Sequence, residues 1–288
     1  MEYKKYSENE LKQLHIVLYD ILKEIDRVCR AHNIRYFAIG GTAIGVHFWQ
    51  SILPWDDDID IGMTCKDYER FIEIAPKFLR KGYILQWPGN EPFSPFYFAK
   101  VRKENTLFVE EITQNLNMHQ GIYVDIFPMN KVPMSKWKEK TQRLMVKYIN
   151  IAFINKNAWI LKHCGTPQTN QIYNWNFIYC FLFKFILTFV SRDLLYKTFW
   201  NLICMFDNSK SKFYNIILMP HDHISINSIE KLQIRKFGPM KVPAPNNLYD
   251  YLKNHYGNVT KDIPEEKKQN HKPIVLSFDT TKDSTNYS

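Results

Sequence analysis

The sequence predicts an α+β fold: a mixed β-sheet with flanking helices, then a helical elaboration and a short C-terminal return. Three observations predict it. Short apolar runs alternate with helical patterns through residue 130, a mixed order rather than a regular βαβ repeat. After Pro133 the periodicity becomes mostly helical. The composition, 45% hydrophobic and 15% aromatic in 288 residues, is enough for a large core and excludes collagen-like, coiled-coil and wholly disordered chains.

The elements follow in order. Ser7 with Glu10 is a capping box, and Leu11, Leu14, Leu18, Ile21, Leu22, Ile25 and Cys29 recur at helical spacing, so residues 8–31 read as an amphipathic helix. Tyr36–Ile39 is a short strand that ends in Gly40-Gly41, and Thr42–Trp49 starts a helix that Pro54 stops. Ile59–Met63 is a strand. Asp67–Lys81 is a helix with Gly82 as its expected C-terminal cap. Tyr83–Trp87, Phe96–Arg102, Leu107–Ile112 and Ile122–Phe127 read as strands, with Lys103-Glu104-Asn105 as a hairpin turn. Residues 135–210 read as mostly helical around a loop at Gly165-Thr166-Pro167. Residues 235–245 read as extended and Pro-punctuated, and Asn247–Tyr256 as a helix closed by Gly257. No linker divides the chain. Residues 1–277 are expected to form one domain, with the sheet over about 8–130, the elaboration over about 131–230 and the return over about 231–277. The polar stretch 278–288 is expected to be a disordered tail.

Charge and cysteines bound the function. The net charge is +9, and residues 131–163 alone supply +7. A solvated helix face is the plain reading of that stretch, and contact with an anionic lipid or polymer is the functional one. No nucleic-acid-binding signature accompanies it, so no nucleic acid is expected as a partner. The apolar run 177–190 carries Lys184 and is shorter than a bilayer span, which suggests a buried or interfacial helix. The N-terminus has no apolar signal region. The five cysteines are odd in number, widely spaced and without C-x-x-C. Reduced thiols and a cytoplasmic location, peripheral to the inner membrane face, are expected.

The chemistry concentrates in Ile39-Gly40-Gly41-Thr42 and in Pro54-Trp55-Asp56-Asp57-Asp58-Ile59-Asp60-Ile61-Gly62. Four aspartates in five positions repel one another unless a cation sits between them. Strand alternation puts Asp58 and Asp60 on one face, with Asp56 at the strand entrance, and turns Ile59, Ile61 and Met63 to the core. Such an acid pair is a hard-oxygen clamp for Mg²⁺ or Mn²⁺; a solvated acidic turn is the plain alternative. Asp125, between Tyr123 and Phe127, either joins the same cation, accepts a proton from a hydroxyl, or pairs with a lysine on an edge strand. Gly40, Gly41 and Thr42 open a helix whose N–H groups can bind phosphate. Lys100 and Arg102 share a strand face and can offset phosphate charge, or simply line an exposed edge. His221 and His223 read as a polar loop. Trp55, Trp87, Tyr97 and Tyr123 are candidates for a quaternary-ammonium pocket, with core packing as their default.

Taken together, Tyr36–Thr42, Leu53–Gly62, Phe98–Arg102 and Val124-Asp125-Ile126-Phe127-Pro128 resemble the LicD family, whose relatives include the fukutin-related proteins. The likeness covers residues 10–130 well and the C-terminal third moderately; residues 131–230 are generic. The resemblance implies a nucleotidyltransferase-like fold. It implies transfer of a phospho-alcohol, phosphocholine foremost, from a CDP-activated donor to a hydroxyl of a cell-surface or lipid-linked glycan. It implies Asp58, Asp60 and Asp125 as metal carboxylates and Asp56 as an accessory acid. Some relatives add a zinc-binding loop of cysteines and histidine; no such cluster is visible in the sequence, and no zinc is expected. Two alternatives stay open: transfer of an NMP to a small molecule, and a non-catalytic protein that binds a cation and docks on membrane.

Overall fold

The computed structural model describes residues 6–156, 187, 189–219, 223–268 and 270–283. Helix α1 (Glu8–Ala31) has the expected limits. Ser7 Oγ accepts the Glu10 N–H, and the Glu10 carboxylate accepts the Ser7 N–H, at 3.2 and 2.8 Å. Its buried face, including Leu14, Leu18, Ile21, Leu22 and Ile25, packs against the sheet.

The main sheet contains β1 (Phe37–Ala38), β2 (Asp60–Thr64), β3 (Tyr83–Gln86), β4 (Ala99–Lys103) and β6 (Tyr123–Lys131), in the spatial order β1-β2-β6-β4-β3. Only the β2–β6 pair is parallel; β1–β2, β6–β4 and β4–β3 are antiparallel. The parallel pair sets Asp60 beside Asp125 and Ile61 beside Ile126. Helix α2 (Gly40–Ile44) follows β1 and passes into a π-turn, Gly45–Trp49. Helix α3 (Cys65–Phe78) follows β2 and packs on β2, β3 and β6.

Three expectations need correction. The hairpin at Lys103–Asn105 does not form, because β3 and β6 already occupy both edges of β4. Strand β5 (Leu107–Val109) turns away at Asn105, which has φ 57°, and pairs instead with β11 (Val275–Ser277). Helix α3 runs earlier than Asp67–Lys81. Thr64 caps its start by accepting the Asp67 N–H. Its end is drawn off at Leu79, where α1 holds the chain: Arg27 donates to Phe78 O at 2.5 Å and Glu24 accepts the Arg80 N–H at 2.8 Å. Gly82 therefore serves the turn into β3 rather than the helix end. Strand β6 runs on through Pro128 to Lys131. Pairing with β4 stops at Ile126, so Pro128 faces no β4 partner there.

Helices α4 (Lys136–Lys156) and α5 (Arg192–Ile203) pack against each other and carry the described part of the helical elaboration. The loop at 165–167 and most of the run 177–190 lie outside the described residues. Strand β7 (Phe213–Asn215) pairs with the end of β6 and with β8 (His223–Ser225), and α6 (Ile226–Glu230) follows. The expected extended stretch is the hairpin β9 (Gln233–Phe237) and β10 (Met240–Ala244). Helix α7 (Leu248–Tyr256) ends at Gly257 as expected and packs against α2. Of the expected tail, Thr280–Asp283 forms a helical turn, α8.

Candidate active site

The site is built where β1, α2 and β2 meet. The alternation along β2 holds: Ile59, Ile61 and Met63 are buried in the core, and Asp58 and Asp60 stay partly accessible on the other side. The entry of β2 is tied to α2, since Thr42 Oγ accepts the Asp60 N–H at 2.8 Å. Ile59 O accepts the Asp125 N–H at 2.9 Å and fixes the neighbouring acid.

Glycine allows the acids to approach α2. A Cβ on Gly41 would lie 2.8 Å from Asp56 Oδ2, and one on Gly40 would lie 3.1 Å from Asp60 Oδ2. Gly40 also has φ +54°, a backbone conformation that glycine adopts without steric cost. Its N–H donates to the Tyr251 hydroxyl at 3.0 Å, so α7 braces the turn from the C-terminal side.

A cavity of about 330 Å³ opens on this cluster. Its walls include Gly41, Trp55, Asp56, Asp58 and Asp60, with Tyr256, Asp262 and His271 from the C-terminal return. Lys268 Nζ lies over the Trp55 ring, 4.7 Å from its centroid. Of the four aromatic candidates, Trp55 alone lines this cavity. Trp87 packs on Tyr196, Tyr97 on Phe98 and Phe199, and Tyr123 lies beneath Lys100.

The electrostatics show an excess of acid. Burial, then the neighbouring charges of Asp58, Asp57 and Asp60, push the Asp56 carboxyl well above the usual range. Burial, with Asp58 and Asp125 adding repulsion, does the same to Asp60. Asp125 is pushed up to about 6 by burial, against the pull of Lys100. The Lys100 ammonium sits 2.8 and 3.1 Å from the two Asp125 oxygens, is almost fully buried, and lies 3.3 Å from the Tyr123 ring centroid.

Asp57 has a different task. It accepts the Tyr6 hydroxyl at 2.6 Å and the His271 N–H at 2.8 Å, so it clasps the return onto the acidic loop. The His271 ring approaches Asp57 and Asp58 at 3.6 and 3.3 Å, and hydrogen bonding to both carboxylates pushes it up to about 11. Sequence reasoning missed His271 and Tyr251. Each lies more than 200 residues from its partner, and no spacing signals the contact.

The structure thus gathers Asp56, Asp58, Asp60, Asp125 and Gly40–Thr42. Lys100 neutralises Asp125 rather than lining the cavity. Arg102 is a correction: it is fully buried, donates to Gln86 Oε1 and Gly121 O at 2.6 Å each, and does not reach the cavity. His221 lies outside the described residues, and His223 approaches Glu139 at 3.8 Å. The carboxylates around the cavity are the oxygen donors that a hard divalent cation takes. Among the described residues, the ligand atoms that come within 4.8 Å of one another here are those of Asp57, Asp58 and His271, while Asp60 and Asp125 do not join them; burial and then mutual repulsion raise Asp56 and Asp60.

Residues 33–154 match the family described as LicD/FKTN/FKRP, nucleotidyltransferase domain. The chain is 23% identical over 279 residues to the lipopolysaccharide cholinephosphotransferase LicD of Haemophilus influenzae, across 91% of this chain and 95% of that one. An uncharacterized protein of Rickettsia typhi is 37% identical over 83 residues, which covers 29% of this chain and 26% of that protein. One of Rickettsia prowazekii is 34% identical over 84 residues, 29% and 31% of the two chains. The Asp-x-Asp strand, the Gly-Gly turn and Asp125 all fall within the segment that matches the nucleotidyltransferase domain of the LicD family.

Proposed function

We propose that this protein transfers a phospho-alcohol, phosphocholine foremost, from a CDP-activated donor to a hydroxyl of a cell-surface glycan or its lipid-linked precursor. The observation that carries the reading is a cavity lined by Asp56, Asp58, Asp60 and the aromatic Trp55, with Asp125 paired to Asp60 on the adjoining strand. The likeness to a lipopolysaccharide cholinephosphotransferase over 91% of the chain supports the substrate class. Trp55 at the cavity wall suits choline, because an aromatic ring holds a trimethylammonium group by cation–π attraction.

In the mechanism we propose, the glycan hydroxyl attacks the donor phosphorus nearest the alcohol. The new bond is glycan oxygen to phosphorus, the bond broken joins that phosphorus to the bridging oxygen, and CMP leaves. Asp56, which lines the cavity and holds a raised carboxyl, takes the hydroxyl proton. A Mg²⁺ or Mn²⁺ ion held by Asp58, Asp60 and Asp125 would neutralise the diphosphate and the developing charge on CMP. Lys100 holds Asp125 in place, and the first-turn N–H groups of Gly41 and Thr42 orient phosphate oxygens.

We place the enzyme on the inner membrane face. Lys136, Lys138, Lys140 and Lys147 of α4 are exposed, and so are Trp137, Leu144, Met145 and Tyr148. Cations among exposed aromatic and aliphatic side chains suit an anionic lipid surface. No helix among the described residues is long and apolar enough to cross a membrane.

The deciding experiment is CMP release from a panel of CDP-alcohols with Mg²⁺ and glycan acceptor. Glycan-dependent CMP from CDP-choline is the expected result. The domain's family description favours one competing reading, NMP transfer from a nucleoside triphosphate. Pyrophosphate release, with every CDP-alcohol inert, would establish that competitor instead.

A further inference from the structure

The far end of β2 brings together Cys65, Cys204 and Asp207, three residues with no spacing motif in the sequence. Their ligand atoms, two Sγ and a carboxylate oxygen, lie within 4.8 Å of one another. Cys65 is the first residue of α3, directly after β2. Cys204 opens a single 3₁₀ turn after α5, and Asp207 closes it with an N–H to Cys204 O bond of 3.0 Å. Side chains three apart in a 3₁₀ turn share one edge, which is why Cys204 and Asp207 both meet Cys65. The Lys131 N–H donates to Asp207 Oδ1 at 3.0 Å and holds that carboxylate in place.

We propose that Cys65, Cys204 and Asp207 form a site for a soft divalent cation, Zn²⁺ by its ligand chemistry, distinct from the acidic cavity. Thiolate and carboxylate oxygen are both ligand types that tetrahedral zinc takes, and two thiolates with one carboxylate would leave a fourth position for water. At Zn–S distances of about 2.3 Å the two sulfurs would sit about 3.8 Å apart, so a closure of about 1 Å at most is needed. Binding breaks two S–H bonds, forms two Zn–S bonds and releases two protons to solvent. Burial, with Cys204 and Asp207 beside it, pushes the Cys65 thiol up, so the metal must displace its proton; the N-terminus of the 14-residue α3 then favours the thiolate. Five residues of strand rise separate Cys65 from Asp60, about 16 Å, so the ion would not share the Asp58–Asp60–Asp125 donors. It would pin α5 to the end of β2 and thereby fasten the helical elaboration to the sheet.

The test is Co²⁺ titration of the reduced full-length protein. The acidic cavity offers only oxygen and imidazole nitrogen, so thiolate-to-cobalt charge-transfer bands in the near ultraviolet distinguish a thiolate site from the cavity. One equivalent with those bands, lost in Cys204→Ser and in Cys65→Ser and displaced by Zn²⁺, is expected. Wild-type protein supplies a check that needs no variant. Zn²⁺ should slow alkylation of Cys65 and Cys204, followed peptide by peptide, by at least about tenfold. Cobalt uptake without thiolate bands, unchanged alkylation with zinc, or a Cys65–Cys204 disulfide that excludes both metals would each overturn the proposal.

Discussion

Gly41→Ala separates the two uses of the Gly-Gly turn. Gly41 lies in the first turn of α2 with no positive φ, so alanine suits its backbone, and helix propensity alone would add about 1 kcal/mol of stability. The new methyl, however, would lie 2.8 Å from Asp56 Oδ2, inside contact distance. Asp56 has little room to yield. Its N–H donates to Leu53 O at 3.0 Å, its carbonyl meets His15 Nε2 at 2.8 Å, and its side chain is buried. The carboxylate must swing within the cavity, and a misplacement of about 1 Å in a reacting group costs about 10²-fold in rate, or about 2.7 kcal/mol of transition-state stabilisation. The assay is CMP release alongside thermal unfolding. The expected result is a Tm at or above wild type with kcat reduced about 10²-fold. Wild-type kcat with an unchanged Tm would refute the reasoning, because the acid would then not need the space that glycine leaves. Gly40→Ala should differ by also losing about 1–2 kcal/mol of stability, because its φ is +54°.

Other expectations follow from the same geometry. Asp60→Asn should lower kcat by at least about 10²-fold, yet raise Tm in metal-free buffer by relieving repulsion from Asp58 and Asp125; a fall in Tm would contradict the acid excess. Mg²⁺ should raise the Tm of wild type and leave that of Asp60→Asn nearly unmoved, which differential scanning fluorimetry reads directly. Burial raises the Glu24 carboxyl, but hydrogen bonds from Arg27 and the Arg80 N–H outweigh it and hold it below 4.5. A lowered folded value stabilises above about pH 4.5 and is lost as pH falls through it. Glu24→Gln should therefore cost about 1–3 kcal/mol at pH 7, and the gap to wild type should close in acid unfolding as the pH falls through the lowered Glu24 value. Replacing Lys136, Lys138, Lys140 and Lys147 with glutamine should weaken binding to anionic vesicles by about 1 kcal/mol per residue, and unchanged vesicle sedimentation would remove the membrane role.

What the sequence reveals depends on how local the cause is. Helix α1 is legible to the residue because its cap and its apolar stripe are local. The acid face of β2 is legible because alternation alone decides it. Strand β5 is not, since its partner follows from which edges of β4 are taken. Pro128 hides the true length of β6 because it looks like a stop until the missing β4 partner is known. Arg102 shares a strand face with Lys100, yet one residue reaches Asp125 and the other is enclosed by Gln86 and Gly121. His271 on Asp57, and Cys204 beside Cys65, belong to the same class of long-range facts.

The clasp between Asp57 and His271 bears on the timing of synthesis. The aspartates emerge from the ribosome early, and the histidine that counters Asp57 and Asp58 follows more than 200 residues later. Over the 214 residues from Asp57 to His271 the nascent sheet carries its acids with that counter-charge still unmade. The cavity wall likewise lacks Tyr256 and Asp262 until the return has been synthesised. Vectorial folding can close the β2–β6 pair before the return is made, but the cavity is completed only after it, so a ribosome-bound fragment that stops short of the return should hold the acid pair and remain silent as a transferase.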